Sequence, residues 1–192
     1  MLDRETRAFH AATDRSWQRL LQGDTTRDDY VHQLIVAYGF EGPFETACAY
    51  TPGLSQLIDL RGRSRSTLIA QDLLMLGRAP DDVKAIHWAE LAPFQDPAEA
   101  LGWLYVVERP TLFYAEVHEE LTSRFVDLAR ATSYLRAYEG TVSKRWSELG
   151  IALDQLCVSD KVCKRVTEAA RTAFGVLVDW PRSRNPALRC VG

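Results

Sequence analysis

A chain of 192 residues that is 46% hydrophobic is long enough to bury one sizeable core, and is read as a single domain. With 23 Lys and Arg against 26 Asp and Glu, a formal net charge of −3 leaves no electrostatic footprint for nucleic acid or an anionic membrane surface. The four cysteines, Cys48, Cys157, Cys163 and Cys190, form no C-x-x-C pair and no zinc-like spacing with histidine, so reduced thiols are expected.

The N-terminus, MLDRETRAFH, is charged from its third residue and has no apolar h-region. The longest apolar run, Trp103 to Val107, is far shorter than a membrane span. A soluble, cytoplasmic protein is expected.

Apolar residues recur at three and four along the chain, which predicts an all-α fold. A first helix is read from Asp3 to Leu21, closed by Gln22-Gly23-Asp24. A second opens at Thr26-x-x-Asp29, a capping box with Asp in place of Glu, and runs toward Ala49, interrupted by Gly39, Gly42 and Pro43. After a loop at Thr51-Pro52-Gly53, the basic stretch Arg61 to Arg65 reads as a solvated loop. A short amphipathic helix through Leu68, Ile69, Asp72, Leu73 and Leu76 stops at Gly77, and a minor helix follows near Pro80 to Ile86.

Asp96-Pro97 begins a long helix with proline well placed at its first position. Ala100 to Leu121, ALGWLYVVERPTLFYAEVHEEL, is patterned as one buried helix with Glu108-Arg109-Pro110 at its middle. Further helices are expected over Val126 to Glu139, Val142 to Leu149 and Asp160 to Trp180. The domain is placed at residues 1–181, with a flexible tail at 182–192.

His10 is the leading candidate for chemistry. On a helix it shares a face with Leu2, Thr6, Trp17 and Leu21, and Asp14 lies one turn onward. That arrangement suits a neutral imidazole that binds a metal through Nε2; it equally suits a satisfied core histidine. His32, His87 and His118 carry weaker signals. AEVHEEL lacks a Glu-x-x-His because Ala115 stands three before His118, so a di-iron set cannot be assembled from these helices. No G-x-S-x-G, phosphate-cradling glycine loop or H-E-x-x-H occurs, which argues against hydrolases, P-loop enzymes and zincins.

Four stretches together resemble the haem oxygenases, in their bacterial, phytochrome-associated branch: TRAFHAATD around His10, YVHQLIVAYGFEGPFE from Tyr30, LIAQDLLMLG from Leu68 and ALGWLYVVE from Ala100. AARTAFGVLVDW is similar to that family's last helix. The resemblance implies an all-α fold with haem b between the first helix and a kinked long helix, and His10 as proximal iron ligand. It implies an oxidoreductase that cleaves haem with dioxygen and an external reductant to biliverdin, carbon monoxide and iron. A ferredoxin-like or flavoprotein electron donor and a phytochrome as bilin acceptor are the partners it suggests.

The same resemblance exposes a departure. Where the family reads roughly G-S-T-L-G-G after L-Y-V-L-E, this chain has Arg109-Pro110-Thr111-Leu112-Phe113-Tyr114, so every distal glycine is gone. Proline at 110 removes an amide donor and kinks a helix by its own means. Phe113 and Tyr114 either fill the distal pocket or rotate away, and Arg109 either meets a haem propionate or points to water. Candidate haem contacts are His10, Asp14, Arg109 and Phe113, with Thr111 and Tyr114 as distal hydrogen-bond donors. Arg4, Arg7, Arg136 and Lys144 lie near the family's propionate positions in pattern, without a one-to-one match. A non-catalytic haem sensor, and a haem-free relative whose pocket is filled by Phe113 and Tyr114, remain the alternatives.

Overall fold

The computed structural model describes residues 2–184. The chain forms α1 (Leu2–Arg19), α2 (Arg27–Ala49), α3 (Leu54–Leu57), α4 (Ser66–Met75), α5 (Pro80–Lys84), α6 (Pro97–Glu108), α7 (Tyr114–Arg124), α8 (Val142–Leu156) and α9 (Asp160–Arg184). Short 3-10 turns cover Arg61–Arg63, Arg109–Leu112 and Val126–Arg130, and no strand occurs among the described residues. The all-α expectation holds. The tail from 185 onward lies outside the described residues, and α9 continues past Trp180 to Arg184.

The core is organised around α6. Every residue from Ala100 to Glu108 is buried, as a helix that is apolar all round must be. It packs most extensively on α9, at Gly102, where a Cβ would stand 2.8 Å from Ala169 Cβ and collide with the Val166 carbonyl. One apolar cluster joins α6 to Phe40, Phe44, Phe94 and Phe174. A second gathers Trp17, Tyr30, Leu34, Ile69, Tyr114 and Tyr134 on the α1, α2, α4 and α7 side.

Several expected boundaries move. α2 is unbroken through Gly39, Gly42 and Pro43. Pro43 has no N–H for the Gly39 carbonyl, and the Ala89 N–H takes that carbonyl instead at 2.8 Å, so nothing is orphaned. Gly39 is glycine because a Cβ there would collide with the Trp180 ring and approach the His87 carbonyl to 2.6 Å. The Thr26–Asp29 capping box and the Asp96-Pro97 start form as expected.

The helix expected over Val126 to Glu139 is only a 3-10 turn to Arg130 followed by tight turns. Buried Asp72 accepts the backbone N–H groups of Ser133 and Tyr134 at 3.0 and 2.8 Å, taking donors a helix would need. In compensation α8 runs seven residues beyond Leu149, passing through Gly150.

Candidate functional site

His10 lies on the inward face of α1 with Leu2, Thr6, Thr13, Asp14 and Trp17, and is 8% exposed. Its Nε2 is 3.0 Å from Thr6 Oγ1 and 3.4 Å from the Tyr105 hydroxyl, and its ring centroid is 5.6 Å from that of Phe174. Thr6 spends its hydroxyl proton on the Leu2 carbonyl at 2.8 Å, so it faces His10 as an acceptor. Asp3 Oδ1 lies 3.8 Å from Nδ1 and the Tyr105 hydroxyl can donate to Nε2, so partners stand by for either neutral tautomer. Burial, and then the Arg109 charge, hold the His10 pKa below its ordinary value, so the ring is neutral at pH 7.

Pro110 is accommodated by rebuilding the end of α6. The last carbonyls of any helix lack intrahelical donors, and here they are taken one by one. Arg109 N–H reaches the Val106 carbonyl in a 3-10 turn. Arg65 Nη2 donates to the Val107 carbonyl at 2.9 Å, and the Thr111 hydroxyl donates to the Glu108 carbonyl at 2.6 Å. The long helix expected over Ala100 to Leu121 is therefore two helices joined by the turn Arg109–Leu112.

That turn aims Arg109 back at α1. Its Nε and Nη2 donate to Asp14 Oδ1 and Oδ2 at 2.9 and 2.6 Å, a bidentate pair with side chains only 14% and 11% exposed. Asp14 overcomes the burial that opposes the Arg109 charge, and the Arg109 pKa is raised. Arg109, expected at a haem propionate or in water, is held instead by the carboxylate one turn after His10, and the pair bridges the first helix to the end of α6.

The other predicted residues separate. Thr111 is buried and accepts the Trp146 indole N–H at 3.1 Å, tying the turn to α8. Trp146 stands edge-on to Tyr105, with centroids 5.8 Å apart. Tyr114 is 1% exposed and packs on Trp17 and Tyr134, in the second core cluster, and half-buried Phe113 packs against that cluster too. His10, by contrast, sits among residues of the first. Arg4, Arg7, Arg136 and Lys144 are exposed and pair with Glu5, Asp3, Glu139 and Glu148.

A second correction concerns the basic stretch. Arg63 and Arg65 are 4% and 1% exposed, not solvated. Arg63 pairs with Glu108 at 3.0 Å and with Glu148 at 3.1 Å. Arg65 pairs with Glu41 at 3.1 Å, and its guanidinium lies over the rings of Tyr114, Tyr134 and Tyr138 at 5.7, 5.6 and 5.1 Å. Tyr134 donates to Glu41, and Tyr138 to Glu108 at 2.8 Å. Burial raises the Glu41 pKa to about 7 against the opposing Arg65 charge. Acidic partners inside otherwise apolar helices, Glu41 and Glu108, were the available signal for this network.

Two cavities lie beside α1 and α6. One of about 330 Å³ is lined by Leu2, Asp3, Tyr105, Trp146, Leu153 and Asp154 among others. The other, of about 400 Å³, lies between α1, α2, α9 and the end of α6, and includes Thr13, Gln33, Glu41, Val107, Pro110 and Leu177. Both fall near the bottom of the roughly 300–1,000 Å³ span of ligand pockets. No described Lys or Arg side chain lines either. The described residues also contain no group of three or more His, Cys, Asp or Glu placed to hold a metal, and no helix long and apolar enough to cross a membrane.

Comparison with known proteins bears on this site. A model of one protein family, described as heme oxygenase, matches residues 1–183. A crystal structure of the heme oxygenase from Neisseria meningitidis, studied with NO and CO bound, is similar with a TM-score of 0.72 at 22% identity. The match covers 96% of this chain and 92% of that one. No curated protein matches.

Proposed function

This chain belongs to the haem oxygenase family, which implies haem as substrate or ligand, and we propose that it is a haem oxygenase-like protein whose cleft is closed to haem and which does not turn haem over. The observation that carries the reading is the bidentate Arg109–Asp14 pair, which holds the first helix against the end of α6, the two elements between which the family is expected to take its haem.

The residues present do not fit the group. Haem is a broad apolar disc with two propionate carboxylates, and it needs an unprotonated ring nitrogen at its iron. Here Nε2 of His10 is already engaged by Thr6 and Tyr105. The cavity on the α8 side presents Asp3 and Asp154 where carboxylates would need cations. Arg109, 3.9 Å from Asp3, is already spent on Asp14. The glycines that would let backbone approach a haem face are replaced by Arg109, Phe113 and Tyr114.

A second reading is favoured by one observation. His10 remains a neutral, inward imidazole on the first helix, flanked by aromatic rings, as an iron ligand would be. On that reading the pair opens, haem b binds through His10, and dioxygen with a ferredoxin-like or flavoprotein reductant gives biliverdin, carbon monoxide and iron, with a phytochrome as bilin acceptor.

Hemin titration separates the two. The closed-cleft reading expects no saturable Soret band that depends on His10, judged against His10→Ala, and no bilin absorbance on adding ascorbate in air. A one-to-one, His10-dependent band that decays into bilin absorbance would overturn it.

A further inference from the structure

We propose that Cys157 and Cys163 form a two-thiol redox site at the turn from α8 to α9, which a hydroperoxide converts to a disulfide with Cys163 as the attacking sulfur, and which a dithiol reductant restores. The proposal is independent of whether the cleft admits haem.

The fold makes the pair. Five residues separate the two cysteines along the chain, a spacing that carries no motif of its own. Cys157 ends α8, with its N–H on the Leu153 carbonyl at 2.8 Å and backbone angles of φ −77° and ψ 55° that turn the chain out of the helix. α9 starts at Asp160, and the Cys163 N–H meets the Ser159 carbonyl at 3.0 Å in its first turn. The Cys163 thiol thereby lies against Cys157 and donates to its carbonyl at 3.6 Å. Both side chains line the cavity of about 330 Å³. Two sulfurs brought to one place are the geometric precondition of a disulfide.

The two thiols differ, and the difference sets the order of events. Burial, and then the neighbouring Cys163 thiol, pushes the Cys157 pKa up to about 11, so Cys157 keeps its proton at pH 7. Cys163 is half-buried and also lines a surface groove with Arg4 and Lys164, from which an oxidant reaches it. Cys48 is the contrast: it is buried in the core, and burial followed by the Glu45 charge holds its thiol far above the ordinary value.

The Cys163 sulfur attacks one oxygen of the hydroperoxide, and the O–O bond breaks. The other oxygen leaves with the thiol proton as an alcohol, or as water from hydrogen peroxide, and Cys163 becomes a sulfenic acid. The Cys157 sulfur then attacks that sulfur, the S–S bond forms, and the hydroxyl departs as water with the Cys157 proton. Two thiols have lost two electrons and two protons to the O–O bond. Exchange with dithiothreitol returns both thiols.

The test treats the full chain with hydrogen peroxide, alkylates it and digests it with trypsin. Trypsin cuts at Lys161, between the two cysteines, so peptides 146–161 and 162–164 should emerge joined, lighter than their sum by two hydrogen atoms, and should separate after dithiothreitol. In Cys157→Ser, dimedone should trap the sulfenic acid on Cys163. In Cys163→Ser, dimedone should label Cys157 at least about tenfold more slowly, because little thiolate is present.

A sulfinic acid at Cys163 without joined peptides, a bond from either cysteine to Cys48 or Cys190, unreacted thiols, or equal labelling of the two variants would each overturn the proposal. Peptide mapping of the wild type needs no variant, so the test stands even where a serine substitution fails to fold.

Discussion

Replacing Arg65 with methionine tests the buried network on which the end of α6 rests. The guanidinium is 1% exposed, pairs with Glu41, caps the Val107 carbonyl and sits among three tyrosine rings. In the variant, Glu41 keeps only Tyr134 as a donor. Loss of the cap and of the ring contacts costs about 2 kcal/mol at any pH. The remaining cost depends on pH, and its sign follows from proton counting.

In the wild type the folded Glu41 pKa is about 7, above the unfolded value of 4.5, so below pH 7 the folded wild type and the folded variant both carry the proton. The variant's penalty is flat there. Above pH 7 the wild type releases the proton to pair fully with Arg65, while the variant holds it. The penalty then grows by about 1.4 kcal/mol per pH unit. Urea denaturation should give about 2 kcal/mol at pH 6 and about 4 kcal/mol at pH 8.5, the latter in the range of about 3–5 kcal/mol for a broken buried ion pair. Arg65→Met with Glu41→Met should remove the pH dependence. A penalty under about 1 kcal/mol, or the same at both pH values, would refute the reasoning.

Gly39→Ala should destabilise by about 1–3 kcal/mol through overpacking, because its Cβ meets the Trp180 ring and the His87 carbonyl; an unchanged urea midpoint would contradict the packing described. Asp14→Asn and Arg109→Gln should show a coupling of about 1.5–3 kcal/mol in a double-mutant cycle, as hydrogen bonds between charged groups do. Additive effects would mean that the pair does not hold the cleft. The His10 pKa is lowered in the folded state, so as pH falls below 6.5 the unfolded chain takes up a proton the folded chain refuses. Wild-type stability relative to His10→Gln should accordingly decline between pH 7 and pH 5, and a constant difference would count against a buried neutral imidazole.

Local rules were readable wherever the deciding partner lay within a few residues. The capping box at Thr26, the proline start at Pro97 and the glycine stop at Gly77 all form from neighbours along the chain. The reading failed where the partner was distant. Pro43 breaks nothing because Ala89, in a loop far along the chain, supplies the missing donor. Arg63 and Arg65 look like a solvated run until Glu108, Glu148 and Glu41 are brought to them from other helices. At the candidate site, the face of His10 and the proximity of Asp14 were legible from helical spacing, whereas the capture of Asp14 by Arg109 depends on the turn that Pro110 imposes.

The strength of that capture sets how the two functional readings relate. A coupling of about 1.5–3 kcal/mol holds the open form to roughly one molecule in ten to one in a hundred, and any ligand that requires the open form loses affinity by the same factor. Such a factor alone weakens haem binding without abolishing it. If Arg109→Gln or Asp14→Asn gains hemin affinity by about ten- to a hundredfold, the pair is the main barrier and the site behind it still accepts haem. If neither variant binds, the barrier is the wall itself: the Thr6 contact on His10 Nε2, the Trp146 indole fixed to Thr111, and a lining whose described charges are acidic where haem would need cations. The first outcome is expected, because the pair is what holds the first helix to the end of α6, and a neutral imidazole keeps one unprotonated nitrogen in either tautomer.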